Sequence, residues 1–226
     1  MSDAFKYTLL ISSLPQHPEN LFSVDRPPVS RIQLDNRLAL LEEQDAKDLQ
    51  RIERLLLWQK IPGLEESAVF SHFKAEAQQF CHPFLRDVLT WRLELRTLLA
   101  AFRLRMTSPD FDGNQFQGFG DRVLQIRRHW RDKHFGLASR IPWIVQAQQL
   151  MEAGESFALE KLILSVTWQH HLRLANGHYF DFPAVVIYVM RWDIISRWSV
   201  YQAEQAVTHF DELVSAGLSG IDFESL

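Results

Sequence analysis

Three histidines and one aspartate lie close together in this sequence: His170, His171, His178 and Asp181. Imidazole and carboxylate groups suit zinc or iron, so this segment is the best candidate for a small metal-dependent enzyme. Adjacent residues of a helix point to different faces, and His170 and His171 could therefore not easily bind one ion. Polar contacts in the core or at an interface explain the four residues more simply, and we predict no metal or other cofactor.

A run of basic and aromatic residues follows residue 121. Arginines that neutralise phosphates, together with rings that stack on bases, are typical of nucleic-acid binding. Two aspartates, Asp121 and Asp132, bracket the run, and the whole chain carries a net charge of −4. We therefore favour a solvated helix face or docking to an acidic protein surface over nucleic acid. The run consists of Arg122, Arg127, Arg128, His129, Trp130, Arg131 and Lys133.

Charge is unevenly distributed along the chain. Residues 82–140 contain 11 Lys/Arg and 6 Asp/Glu, a net charge of +5, whereas the segments on either side are acidic. Such asymmetry favours a polarised surface that docks an acidic partner. If the long helix before residue 107 and the next helix are antiparallel neighbours, Arg127, Arg128 and Arg131 extend back along the long helix and form one exposed ridge. The candidate partner-binding residues are Arg103, Arg105, Arg127, Arg128 and Arg131.

Charged side chains also follow an apolar stretch near the end of the chain. Residues 182–190 contain no charge, but nine residues are far fewer than the roughly 20 needed to span a bilayer, so this is predicted to be a helix buried in protein. Asp193 and Arg197 are four residues apart, which predicts a structural ion pair on one helix face. Arg191 points elsewhere and needs a carboxylate or several carbonyls. Its partner is either internal or on another protein.

No residue pattern in the sequence indicates a catalytic site. Glycines occur at 113, 118 and 120, but no Lys-Ser/Thr pair follows them and no strand precedes them, so they predict a loop and not a phosphate cradle. The one cysteine, Cys81, excludes an internal disulfide framework and fits a reducing compartment. The first residues lack the basic start and apolar run of a signal peptide. We predict a non-enzymatic cytoplasmic protein.

The periodicity of apolar residues predicts a mainly α protein, a single domain over residues 1–226 with about nine helices and one short N-terminal strand, Lys6–Ile11. The longest helix is predicted over Phe84–Met106, with an apolar seam that places it at the centre of the molecule. Asp181 is expected to cap the next-to-last helix, with Pro183 in its first turn. Ser199 and Gln202 have capping-box spacing and predict the start of the final helix.

The chain resembles a family of uncharacterised bacterial proteins encoded beside V-type (A/V-type) ATPase genes, which in turn resembles the C (or d) subunit of that ATPase. The resemblance covers nearly the whole length through scattered aromatic and apolar positions. Residues 95–103, in the long helix, look like the asparagine-leucine-arginine helices of C/d subunits, although Glu94 stands where asparagine is typical. The other matching segments are residues 7–15, 135–137, 160–164, Trp168 and residues 191–198.

This resemblance implies a connector without chemistry of its own. Such a protein sits between the central rotor axle of the ATPase and the proteolipid ring in the membrane, transmits torque, and takes part in ion transport only through the complex. It is peripheral to the inner membrane on the cytoplasmic side and does not itself insert. We therefore expect a connector or assembly partner of a V-type ATPase/ATP synthase. The alternatives are a small metal-dependent enzyme built on residues 170–181 and a general helical adaptor.

Overall fold

The computed structural model describes residues 5–56, 73 and 75–218, with side chains described as far as residue 202. Within these residues the protein is all α, which confirms the predicted fold class. Short 3₁₀ turns occupy Leu21–Ser23, Gly113–Gln115 and Lys133–Gly136. The described α-helices are α1 (Thr8–Ser13), α2 (Arg31–Leu38), α3 (Glu43–Leu56), α4 (Pro83–Thr107), α5 (Arg122–Arg128), α6 (Trp143–Glu152), α7 (Ser156–Leu174) and α8 (Phe182–Leu218).

The chain divides into two compact units. The first unit combines residues 1–38 with residues 168–226, and the second is continuous, from residue 39 to residue 167. Residues 73 and 75–78 are helical, and residues 57–72 and 74 lie outside the described part of the chain. No helix in the described part of the chain combines the length and the apolar character needed to cross a membrane.

The first unit corrects the prediction of an N-terminal strand. Thr8–Ser13 is helix α1, and its buried neighbours Tyr7, Leu10 and Leu14 follow the three- and four-residue spacing of a helix. A strand would have buried Leu9 instead, but Leu9 is 74 % exposed. The six residues Lys6–Ile11 are too few for the spacing of their apolar residues to separate a helix from a strand. The backbone N–H of Tyr7 donates to the carbonyl of Phe180, at 2.7 Å.

Helix α8 begins as predicted and then continues further than predicted. The Asp181 carboxylate accepts a hydrogen bond from the backbone N–H of Ala184 at 3.0 Å, which caps the helix, and Pro183 lies in its first turn. The predicted helix start at Ser199 is wrong, because α8 runs without a break to Leu218. The Ser199 hydroxyl donates to the carbonyl of Ile195, one turn earlier, at 2.9 Å. Within a helix, serine satisfies its hydroxyl in this way instead of capping.

The second unit is built around α4, which confirms the predicted long helix almost to the residue. The side chain of His82 accepts from the N–H of Phe84 and caps it, with Pro83 in the first turn. The buried residues are not confined to the predicted seam, since Leu85, Leu89 and Leu99 are buried as well. A broad buried face of this kind is typical of a helix at the centre of a packed unit, although Arg86, Asp87 and Arg103 of α4 are exposed. One end of α4 packs on the cluster that contains Phe102, Phe116, Trp130 and Phe135.

Candidate interaction sites

The basic residues 122–133 of the second unit do not all lie on one helix. Helix α5 ends at Arg128, and Arg131 follows in a turn, so the predicted ridge in which Arg127, Arg128 and Arg131 share a helix face does not form as such. The Asp132 carboxylate, which follows the run, pairs with His129 at 2.6 Å. The arginines of this region therefore have to be considered one at a time.

Arg105, at the end of α4, has internal partners. Its Nη1 donates to the carbonyl of Trp130 at 3.1 Å and to that of Asp132 at 2.9 Å. Its guanidinium lies 4.5 Å from the ring centroid of Phe135 and 5.4 Å from that of Phe102. Burial lowers the pKa of Arg105, and the negative charge of Glu152 opposes that shift. Arg105 therefore joins the end of α4 to the turn after α5.

The turn that Arg105 holds has an unusual backbone. His134, Phe135 and Gly136 have φ angles of 56°, 52° and 66°, three successive residues in the left-handed region. That region is costly for residues with a side chain, and such residues persist only when their surroundings fix them. Phe135 is completely buried, with ring centroids 4.9 Å from Phe102 and 5.6 Å from Trp130. The aromatic packing and the Arg105 contacts supply that constraint.

Two further arginines of the basic run are used inside the second unit. Nε of Arg127 donates to the carbonyl of Phe116 at 2.7 Å, and Arg122 pairs with Glu94 of α4. Glu94 thus holds the loop that leads into α5. The N–H of Phe119 donates to the Thr97 hydroxyl at 2.9 Å, which attaches the same loop to α4 a second time.

Of the five arginines predicted to bind a partner, three have free guanidinium groups. Arg103, Arg128 and Arg131 are exposed, and none of them forms an ion pair within the part of the chain that the structure describes. Arg103 belongs to α4, whereas Arg128 and Arg131 lie at and just after the end of α5. We call these three residues the free arginines. They are the part of the predicted site that is available to a partner.

Arg191 lies in the first unit, on the face of an aromatic ring. Its guanidinium carbon is 4.1 Å from the ring centroid of Trp168, close enough for a cation–π contact. Its Nη2 donates to the carbonyl of Pro18 at 3.4 Å. Burial lowers the pKa of Arg191, and the charge it feels from Tyr188 opposes that shift. The structure thus gives Arg191 internal contacts.

His17 and Tyr188 complete a polar cluster around Arg191. The His17 Nε2 donates to the backbone carbonyl of Tyr188 at 3.0 Å, and the two rings are in contact with centroids 4.0 Å apart and planes tilted by 30°. The Tyr188 hydroxyl donates to the carbonyl of Pro15 at 3.0 Å. Burial, assisted by the charge of Arg191, lowers the pKa of His17 to about 4, and burial raises that of Tyr188 to about 12. Both side chains are therefore neutral near pH 7.

Asp193 and Arg197 lie one turn apart on α8, as the sequence requires. The structure also brings Arg31 of α2 to this turn, with its Nη1 3.9 Å from the Asp193 carboxylate. The Arg31 guanidinium lies 5.7 Å from the Trp192 ring centroid, and the Trp192 indole donates to the carbonyl of Val29 at 2.8 Å. Asp193 thus contributes to the contact between α2 and α8.

The residues considered for a metal site have other roles. Asp181 uses one carboxylate oxygen to cap α8 and the other to contact His178 Nδ1 at 2.6 Å. The ring centroids of His170 and His171 are 6.2 Å apart, with their planes 52° apart. Across the described residues no group of three histidine, cysteine, aspartate or glutamate side chains could hold an ion.

Sequence reasoning missed the residues that define the two best-formed clusters. His17 stands between Pro15 and Pro18 in a segment that reads only as a loop, and Trp168 reads as one core residue of a helix. The left-handed turn at His134 and Phe135 has one visible signal, Gly136, which is common where φ is positive. Nothing in the sequence predicts that the two residues before this glycine, His134 and Phe135, also have positive φ angles.

The described residues of both units thus form helical frameworks held by aromatic packing and charged contacts. A family model described as "Protein of unknown function (DUF2764)" matches residues 63–221. Since that match covers well over half of the chain, the protein belongs to this family. No curated protein and no solved structure matches the chain.

Proposed function

We propose that this protein is a non-catalytic component of a V-type ATPase/ATP synthase, acting as a connector between the central rotor axle and the proteolipid ring or as an assembly partner of the complex. In this role it is peripheral to the inner membrane on the cytoplasmic side. A torque-bearing connector needs a stiff body and distinct binding surfaces. The observation that carries the proposal is the set of free arginines, Arg103, Arg128 and Arg131, on a helical framework.

The positions that carry the resemblance to the ATPase-associated family also support the proposal. Phe135 and Gly136 form the left-handed turn, and Trp168 and Arg191 form the cation–π contact. Residues 95–103 lie in the buried half of α4. The resemblance therefore includes residues that pack inside the two units.

The free arginines give the proposal a specific partner surface. Their charge is exposed and has no carboxylate opposite it in the described residues, so an acidic surface gains attraction without displacing an existing ion pair. Arg105 and Arg127 are excluded from this surface because their guanidinium groups already donate to backbone carbonyls. The proposed partner is an acidic face of the axle subunits in the central stalk.

Charge reversal of the free arginines tests this surface. The triple variant Arg103→Glu, Arg128→Glu and Arg131→Glu should bind the isolated axle at least about tenfold more weakly, because each exposed pair is worth up to about 1 kcal/mol and becomes repulsive. The wild-type interaction should weaken as salt rises above about 0.1 M, where the Debye length falls below about 10 Å. Binding is measured by calorimetry on the full-length chain.

Two sets of variants serve as controls. Arg26→Glu, Arg86→Glu and Arg173→Glu make the same change in net charge at other exposed positions and should leave binding within about twofold of wild type. Arg105→Met should instead lower stability by about 2–3 kcal/mol, since it removes two hydrogen bonds and a cation–π contact. Equal binding by both triple variants, or binding indifferent to salt, would rule out the free arginines as the docking surface.

A further inference from the structure

Arg191 has no countercharge in the described part of the chain. The charged and titratable groups that influence it are Tyr188 and His17, neither of which is a carboxylate, and its one hydrogen bond, to Pro18, is long at 3.4 Å. A half-buried guanidinium normally has a carboxylate or several carbonyl acceptors. By contrast, Arg105 has two close carbonyls and the charge of Glu152.

The cluster around Arg191 has more N–H donors than acceptors. Two donors, Nε of Arg191 and the indole Nε1 of Trp168, are buried and lack a hydrogen-bond partner in the described residues, against one such acceptor, Nδ1 of His17. Trp168 is 2 % exposed, so water does not reach its N–H freely. A buried donor without an acceptor is destabilising, and a bound molecule or ion that supplies an acceptor is one way in which native proteins satisfy it.

A second guanidinium group, that of Arg37, adds positive charge near this cluster. Arg37 of α2 acts on Tyr188 along with Arg191, and its own hydrogen bond is to a backbone carbonyl, that of Gln33, at 3.2 Å. No carboxylate of the described residues faces the cluster from the loop at residues 15–18, from α2, from α7 or from α8 in any contact of Arg191, His17 or Tyr188. Two guanidinium groups thus share one region without an anion.

We propose that Arg191, seated on Trp168, is a binding site for a carboxylate group. A carboxylate accepts from the guanidinium, supplies the missing negative charge and forms the charge-assisted hydrogen bonds that the carbonyl of Pro18 alone does not. Arg191 remains partly exposed, so the group can approach from solvent. This site does not depend on the role in the ATPase, since it lies in the first unit and uses none of the free arginines.

The indole N–H of Trp168 provides a direct reporter for this site. Sodium acetate is titrated into the full-length protein at pH 7 and constant ionic strength, kept with sodium chloride, and the ¹⁵N–¹H signal of the indole is followed by NMR, with Trp168→Phe used for its assignment. The wild type should show a saturable shift. Arg191→Lys should weaken acetate at least about tenfold, because lysine keeps the charge but not the planar donor fork.

Controls make each result decisive. Arg197→Met removes a guanidinium six residues away on the same helix and should leave the titration unchanged. Sodium phosphate at equal ionic strength tests the choice of anion, and a saturable response tighter than that of acetate would overturn the assignment to a carboxylate. An indole signal that responds to acetate no more than to chloride would overturn the site itself, and this result is obtained on the wild type, independent of how any variant folds.

Discussion

Replacing Gly113 with alanine should destabilise the protein by about 3 kcal/mol or more, the high end of the usual cost of overpacking. A Cβ added at Gly113 would lie 2.2 Å from Cγ and 2.3 Å from Cβ of Trp130. The Trp130 ring cannot move away easily, because it packs against Phe111, Phe116 and Phe135 with centroids 5.4–5.6 Å apart. The free energy of unfolding in urea measures the effect.

Gly154→Ala is the matched control for this substitution. Gly154 has a φ of 72°, but no atom lies within 4 Å of an added Cβ, so the alanine there has only the backbone cost of about 1–2 kcal/mol. If Gly113→Ala were no more destabilising than Gly154→Ala, the close packing of the 113–115 turn on Trp130 would be wrong.

Acidification should destabilise the protein through His17. Its pKa is about 4 in the folded protein, against 6.5 when unfolded, because burial disfavours the charged ring. Between pH 4 and pH 6.5, His17 is therefore protonated in the unfolded chain but neutral in the folded protein. The stability due to the neutral ring is complete above pH 6.5 and is lost as the pH falls through about 4. The loss amounts to about 3 kcal/mol at most.

The variant His17→Gln isolates this contribution. Glutamine does not titrate, so the free energy of unfolding should fall less steeply from pH 7 to pH 4, by up to about 1.4 kcal/mol per pH unit. His170, whose pKa burial also lowers to about 4, continues to contribute to the slope of the variant. Parallel pH profiles for wild type and His17→Gln, measured by urea unfolding, would contradict a buried neutral His17.

The sequence predicted the helices whose signals are local. The range of α4 follows from a proline in its first turn and a long apolar run, and the cap of α8 follows from Asp181 and Pro183. A local signal gave a wrong prediction at Ser199, where a helix start was expected inside α8. Ser199 has the spacing of a cap, yet α8 continues through it, and its hydroxyl donates to the carbonyl of Ile195 instead.

The candidate sites were less predictable because they depend on contacts distant in sequence. In the sequence Arg105 is one of several basic residues. Its internal role depends on a hydrogen bond to Trp130, which is 25 residues away in the chain and which local patterns do not predict. Arg191 likewise meets Pro18 and Trp168 from remote segments. Composition identified the basic part of the chain, but it could not separate the free arginines from those that donate to backbone carbonyls.

The central claim is membership in a V-type ATPase complex, and the most direct test is the composition of that complex. The catalytic subunits are affinity-purified under mild salt from the source organism, and the copy number of each protein is measured by quantitative mass spectrometry. Our account predicts this protein at about one copy per rotor, decreasing in parallel with the axle subunits when the complex is dissociated, since it is proposed to bind them. Intact complexes that repeatedly lack the protein, both when mature and during assembly, would contradict it.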